Sequence, residues 1–232
     1  MDQKKTGRTF RAVVFDMDGV LIDSEPVYLE CTVRALQHDY PQVTREALYP
    51  TVGMRSNEYR PFMAKLLRMQ EDDPAFGELL ERVNASCVVD YRKIMRAEVP
   101  DMLRELKDMG MRIALASSSS LSNIQQVLGE CGIRDYFDSI VSGEAFERGK
   151  PDPEIYLSTF DRLQVLPEEV LVVEDSTYGV AAGAASGAVV AALRDGRFSF
   201  DQSPAHLRIG SLSEIPGIAA RRGMGYKFEV ND

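Results

Sequence analysis

Residues Arg11-Ala12-Val13-Val14-Phe15-Asp16-Met17-Asp18-Gly19-Val20 pass from an apolar, β-branched run into two carboxylates and a glycine. The run Arg11–Phe15 has the length of a strand. After Arg11 it shows no polar–apolar alternation, as expected of a parallel strand buried on both faces. Runs of the same kind recur at Met111–Ala116, Ser139–Val141, Val170–Val173 and Ala188–Ala191. Between them lie helical patterns at Pro100–Met109, Leu121–Cys131, Pro153–Leu163 and Tyr178–Ser186. Gly110, Gly132 and Gly187 each close a helical run, as glycines just past a helix end do, and Pro167 stops the run that ends near Leu163. Strand–helix alternation of this type predicts an α/β domain.

Residues 25–95 break the rhythm. They contain no strand-like run and read as helices over Val27–Gln37, Arg45–Tyr49, Asn57–Met69 and Pro74–Met95. A helical block inserted between the first two strands predicts a separate small domain. The expected fold is a Rossmann-like parallel sheet core with helices on both faces, built from residues 1–24 and 96–232. An all-helical domain of residues 25–95 is inserted into it.

The 232 residues are 44% apolar and carry a net charge of −9, with no basic run of five or more, which argues against a nucleic-acid partner. The same charge gives an anionic substrate no general attraction, so a site for one must supply positive charge locally, from a metal and a few Lys or Arg. No apolar segment approaches the length of a membrane span, and the first residues lack the apolar core of a signal peptide. Cys31, Cys87 and Cys131 are scattered and odd in number, which reads as small core residues in a reducing compartment and not as a disulfide framework. The chain is therefore expected in the cytoplasm, as a monomer without membrane or nucleic-acid partners.

Four clusters of polar residues follow the apolar runs. Asp16 and Asp18 emerge where the first strand ends, the edge at which open α/β sheets bind ligands, and Gly19 permits a sharp turn away. An Asp-rich turn that caps the next segment is the plain alternative. A calcium loop is excluded, because glycine stands at the fourth position and Val27 at the twelfth. Ser117-Ser118-Ser119-Ser120 end the second strand before a helix, where a hydroxyl and unpaired N–H groups either seat a phosphate or cap the helix. Lys150 precedes Pro151-Asp152-Pro153 in a stiff, extended stretch, and by itself reads as readily as a solvated lysine. Glu174 and Asp175 end the Val170–Val173 run. Like charges ~4 Å apart repel by roughly 1–4 kcal/mol, so such a pair calls for a cation unless one of them caps the following helix. Together the clusters offer oxygen ligands for Mg²⁺ from Asp16, Asp18, Glu174 and Asp175, and phosphate contacts from Ser117 and Lys150.

The order Phe15-Asp16-Met17-Asp18-Gly19-Val20, Ala116-Ser117-Ser118-Ser119, Gly149-Lys150-Pro151-Asp152-Pro153 and Val172-Val173-Glu174-Asp175-Ser176 resembles the four motifs of the haloacid dehalogenase superfamily. The similarity runs over nearly the whole chain, including Leu207–Ile215 as a closing strand and turn. The helical insert is similar to the α-helical cap of the β-phosphoglucomutase-like members. The resemblance implies a phosphatase in which Asp16 attacks phosphorus and forms an aspartyl-phosphate, while Asp18 acts as general acid and then base. It implies Mg²⁺ held by Asp16, the Asp18 carbonyl and Asp175, with Glu174 as a ligand or close behind one. Ser117, the Ser118 N–H and Lys150 would hold the transferring group of a small sugar phosphate or related metabolite.

The cap implied by the family covers the site. Ser24, Glu25 and Tyr28, just past the nucleophile loop, are placed to face the leaving group, and Arg55 in Gly53-Met54-Arg55-Ser56 is placed either to reach substrate or to lie in solvent. The chain departs from β-phosphoglucomutase in carrying Tyr28 where that enzyme has a histidine, which favours hydrolysis over phosphohexomutase activity. Dehalogenation needs neither Asp18 nor a metal-binding acid pair. A signalling receiver, the remaining alternative, is shorter and lacks a helical insert.

Overall fold

Ala12, Val13, Val14 and Phe15 have no exposed surface and form β1 (Ala12–Phe15), an interior strand of the sheet. The structure, a computed structural model, describes residues 10–52, 54 and 56–221. The chain leaves β1 for the helices α1 (Glu25–Leu36), α2 (Arg45–Leu48), α3 (Ser56–Leu67), α4 (Pro74–Ser86) and α5 (Tyr91–Ile94). It then resumes the strand–helix rhythm with α6 (Val99–Asp108), β2 (Arg112–Ser117), α7 (Leu121–Cys131), β3 (Ser139–Ser142) and α8 (Glu154–Leu163). The last elements are β4 (Val170–Glu174), α9 (Thr177–Ala185), β5 (Val189–Leu193), β6 (Leu207–Ile209) and α10 (Ile215–Arg221).

All six strands are parallel, in the order β3-β2-β1-β4-β5-β6. After β3 the chain crosses back over β1 to begin β4, so the order reverses beside β1. Open α/β sheets bind their ligands outside the carboxyl ends of the strands at such a point.

Side chains alternate between the faces of each strand. Ala12 and Val14 of β1, Ala114 and Ala116 of β2 and Val170 and Val172 of β4 pack in one cluster with Ile155, Tyr156, Phe160 and Leu163 of α8 and Val180 and Ala182 of α9. Val13 and Phe15 are equally buried on the opposite face. Continuing the alternation past the strand ends puts Asp16 and Glu174 on the α8 side. The fold thus aims the first and fourth polar clusters at the same helix.

By contacts the chain forms two compact units, one running to Ile22 and resuming at Met95, the other Asp23–Ile94. The second unit is helical and buries Leu29, Leu36, Leu48, Met63, Leu67, Phe76, Leu80 and Val83. No helix among the described residues is long and apolar enough to cross a membrane.

Element ends fall within one or two residues of expectation in the first unit: the helix expected at Pro100–Met109 spans Val99–Asp108, and Leu121–Cys131 is as expected. Two expectations fail in the second unit. The helix expected over Pro74–Met95 is interrupted: α4 ends at Ser86, and Cys87 turns to φ −83, ψ 91 before α5 starts at Tyr91. The interruption contains Val88 and Val89, whose β-branched side chains favour extended backbone. The cysteines are also not three core thiols. Cys31 on α1 and Cys87 at the end of α4 form a disulfide across a sequence separation of 56, and Cys131, of intermediate exposure, is not in a disulfide. Sequence spacing hid the pair because only the packing of α1 on α4 brings the two together. The bridge removes the thiol-based reason for placing the chain in a reducing compartment. Denatured without reductant, the protein should react with a thiol reagent at Cys131 alone; three equally reactive cysteines in a mass-spectrometric count would overturn the pairing.

Candidate active site

Lys150 lies between the ends of β1 and β4, buried, with three acceptors around its ammonium. Nζ donates to Asp16 Oδ1 at 2.6 Å, to Glu174 Oε1 at 2.6 Å and to the Ala116 carbonyl at 3.1 Å. Three strand ends (β1, β2 and β4) therefore converge on one cation. The Lys150–Pro151 peptide is cis, and α8 begins at Glu154. On the first turn of α8, Tyr156 returns to the same place from the helix's inward face, its hydroxyl donating to Glu174 Oε1 at 2.5 Å. Its ring centroid lies 5.1 Å from Lys150 Nζ.

Glu174 is fully buried and surrounded by donors. Oε1 accepts from Lys150 and Tyr156, and Oε2 accepts from the Asp175 N–H at 3.1 Å and the Ser176 hydroxyl at 3.4 Å. Four donors fill the roughly four lone-pair positions of a carboxylate. Space for this carboxylate exists because residue 179 is glycine: a Cβ there would lie 2.0 Å from both Glu174 oxygens. Asp175 has a counterpart in Gly19, which takes φ +78 and whose added Cβ would meet Asp175 Oδ2 at 2.0 Å. Ser176, not Asp175, caps α9, through its hydroxyl to the Gly179 N–H.

Ligand oxygens of Asp16, Glu174 and Asp175 lie within 4.8 Å of one another. Burial pushes the Asp16 carboxyl up to about 8 against the pull of Lys150, and the negative charges of Glu174 and Asp18 push the same way. Burial alone would depress the Lys150 ammonium, but Asp16 and Glu174 hold it well above its ordinary value. Burial and Glu174 raise the Tyr156 phenol, keeping it a neutral donor. The cluster thus holds more carboxylate than its lysine neutralises, and its donors are hard oxygens, the chemistry that Mg²⁺ prefers.

The remaining predicted residues of the first unit flank this centre. Asp18 lies in a tight loop in which the Met17 carbonyl accepts from the N–H groups of Val20, Leu21 and Ile22. Its Oδ2 accepts from the Ser119 hydroxyl at 2.7 Å. Ser117 is buried at the end of β2, and its oxygen accepts from the Ser119 N–H at 3.1 Å, leaving its own proton to donate elsewhere. Ser118 is exposed, and Ser120 is the residue that caps α7. Four serines therefore divide four ways. Ser24, Glu25 and Tyr28 belong to the second unit, where Ser24 is buried at the start of α1 and the other two are half-buried on its first turn. Arg55 lies outside the described residues.

The haloacid dehalogenase-like hydrolase family profile matches residues 13–193. The chain belongs to this family. A phosphorylated carbohydrates phosphatase of Thermotoga maritima is 33% identical over 193 residues, covering 80% of this chain and 88% of that protein. Hexitol phosphatase B of Escherichia coli O157:H7 is 31% identical over 219 residues, 90% of this chain and 96% of that one. Among solved structures, a haloacid dehalogenase family hydrolase of Deinococcus radiodurans with bound phosphate and sodium matches at a TM-score of 0.73 and 27% identity, over 93% of this chain and 97% of its own. The chain is thus an enzyme in the phosphatase branch of the family.

Sequence reasoning missed three members of this haloacid dehalogenase-like centre. Tyr156 reads as one more apolar position of α8, Gly179 as part of a small-residue helix, and Ser119 as one serine of four. The one available signal was spacing: Tyr156 follows Lys150 on the helix that the lysine introduces. Tyr156→Phe should lower stability to urea by about 1.5–3 kcal/mol, because it leaves a buried carboxylate oxygen short of a donor. Gly179→Ala should cost about 1–3 kcal/mol by overpacking against the same carboxylate. Unchanged urea midpoints in both variants would show that Glu174 is not held as described.

Proposed function

We propose that this protein is a Mg²⁺-dependent phosphomonoester hydrolase that works through an aspartyl-phosphate on Asp16 and acts on a small phosphorylated sugar or polyol. The observation that carries the reading is the convergence of Asp16, Glu174 and Asp175 on one another, with Lys150 between the first two. A nucleophilic carboxylate, a neighbouring acid for a cation and a lysine for phosphoryl oxygens are the groups that this chemistry requires.

In the first step an Asp16 oxygen attacks phosphorus, the bond from phosphorus to the ester oxygen breaks, and the departing alkoxide takes a proton from Asp18. In the second step a water oxygen attacks phosphorus and gives its proton to Asp18, while the bond to Asp16 breaks and phosphate leaves. Ser119, bonded to Asp18, orients the acid for both steps. Ser117, the Ser118 N–H and Lys150, which gives up one of its three present acceptors on binding substrate, hold the three non-bridging oxygens, so that donors stand where charge accumulates.

Asp16, Asp175 and the Asp18 carbonyl would hold the cation. Glu174, its lone pairs already taken by protein donors, is better suited to holding Lys150 than to binding metal itself. Bound there, Mg²⁺ supplies the positive charge that offsets repulsion between Asp16 and the incoming phosphate dianion.

Substrate class follows from the relatives named for phosphorylated carbohydrates and for hexitols. We assign residues 25–95 the part of a cap that selects the substrate, with Ser24, Glu25, Tyr28 and Arg55 as its contacts, in a monomeric cytoplasmic enzyme. Tyr28, standing where a mutase carries a histidine, favours water as the final acceptor over a sugar hydroxyl.

A phosphate-release screen over sugar and polyol phosphates should find Mg²⁺-dependent activity that EDTA abolishes. Asp16→Asn should lose it by on the order of 10⁴-fold or more. Equal turnover by Asp16→Asn and the parent would overturn the mechanism. Interconversion of hexose phosphates faster than phosphate release would make the enzyme a mutase.

A further inference from the structure

We propose that Gln202 is a positioning residue for Asp175 and sets the affinity of the acidic cluster for Mg²⁺, an inference that rests on the metal-dependent reading above. Gln202 is nine-tenths buried in the loop between β5 and β6, and belongs to none of the four motifs. Its side-chain nitrogen donates to the Asp175 carbonyl at 2.5 Å and to the Leu193 carbonyl at 2.8 Å. Both partners are acceptors only, so the orientation of the amide is fixed, and its two N–H groups match the two carbonyls.

The position of these carbonyls explains why a side chain is needed. β4 and β5 pair in parallel up to Glu174 opposite Ala192, and the next residues along are Asp175 and Leu193. At that level the two strands are no longer paired with each other. The Gln202 amide spans the gap and extends the cross-strand link by one residue, to the residue whose carboxylate faces the site. The loop that carries it is itself anchored: the Asp201 N–H donates to Thr177 Oγ1 at 2.8 Å on the first turn of α9, and the Ser203 N–H closes a turn on Asp201 Oδ1 at 2.9 Å.

Asp175 is consequently located through three different groups. Its N–H is held by Glu174, its carbonyl by Gln202, and its carboxylate fills the space that Gly19 leaves open. The Glu174 and Gly19 contacts belong to recognised motifs. Gln202 lies 27 residues along the chain from Asp175 and acts on it only through the backbone. Groups that orient a metal ligand without touching the metal typically change affinity or activity by about 10- to 100-fold when removed.

The test compares the whole protein with Gln202→Leu, Gln202→Glu and the control Arg208→Gln, an exposed position on β6. Mg²⁺ binding is measured directly by calorimetry and, separately, as the Mg²⁺ concentration for half-maximal phosphate release. Gln202→Leu keeps the bulk and loses both donors; Gln202→Glu keeps the shape and sets a carboxylate against two carbonyls. Both should bind Mg²⁺ about 10- to 100-fold more weakly, with kcat at saturating Mg²⁺ within a few fold of the parent. Arg208→Gln should bind like the parent. A purely structural role would lower the melting temperature and leave Mg²⁺ affinity alone, and that result, in either folded variant, overturns the proposal. If the parent itself binds no Mg²⁺, the metal-dependent reading fails first and takes the role of Gln202 with it. A parent that binds beside variants that bind equally well overturns the positioning role only.

Discussion

The ends of β1, β2 and β4 are tied together by one buried ammonium. Lys150 holds Asp16 and Glu174 at hydrogen-bond distance in a place where neither carboxylate is stable alone, and breaking a buried pair of this kind typically costs about 3–5 kcal/mol. The interaction also joins strands that the chain separates widely, since Asp16, Ala116 and Glu174 end β1, β2 and β4. Tyr156 braces the pair from α8, so the helix that covers one face of the sheet also fixes the charge at its edge. A chain with a net charge of −9 has no general attraction for a phosphate ester. One well-held lysine, beside acids that could hold a cation, concentrates positive charge at the ends of β1 and β4 alone.

Much of this was legible in the sequence. Unalternating apolar runs of four to six residues have few uses other than strands buried on both sides, and the structure returns them within a residue or two of their expected ends. Asp16, Glu174 and Asp175 could be picked out because charged residues directly after such runs are costly unless they are used, and Lys150 gained meaning only beside them, through the Gly149-Lys150-Pro151-Asp152-Pro153 motif. What stayed hidden depends on tertiary contact. Tyr156 lies among apolar residues on an ordinary amphipathic helix, and only its hydroxyl distinguishes it from core. Gln202 sits in a polar loop where a glutamine draws no notice until the ends of β4 and β5 are seen beside it. The Cys31–Cys87 bridge and the break after Ser86 belong to the inserted helices, where spacing along the chain does not reveal which helices pack together.

Empty space matters as much as side chains here. Gly19 and Gly179 contribute no group to the site, yet each leaves room for one carboxylate that a single methyl would displace. The acid pair at the end of β4 is thus accommodated from opposite directions, Glu174 against α9 and Asp175 against the loop after β1. This division fits the different tasks proposed for the two neighbours: one is enclosed by donors, and the other faces Gly19 in the loop after β1.

The place of β1 in the sheet also bears on how the protein is made. The strand that carries Asp16 precedes β2 to β6 along the chain, yet it lies between β2 and β4, and its pairing with Val170–Val173 waits until all the residues between them have been made. At ~5–20 residues per second, β1 spends on the order of ten seconds or more with an apolar, unpaired edge. For that interval Val13, Val14 and Phe15 are a sticky segment on a nascent chain, of the kind that chaperones shield. The surroundings of Asp16 are therefore assembled only once β4 is available, and a chain released before that has the Asp16 carboxylate but nothing to hold it.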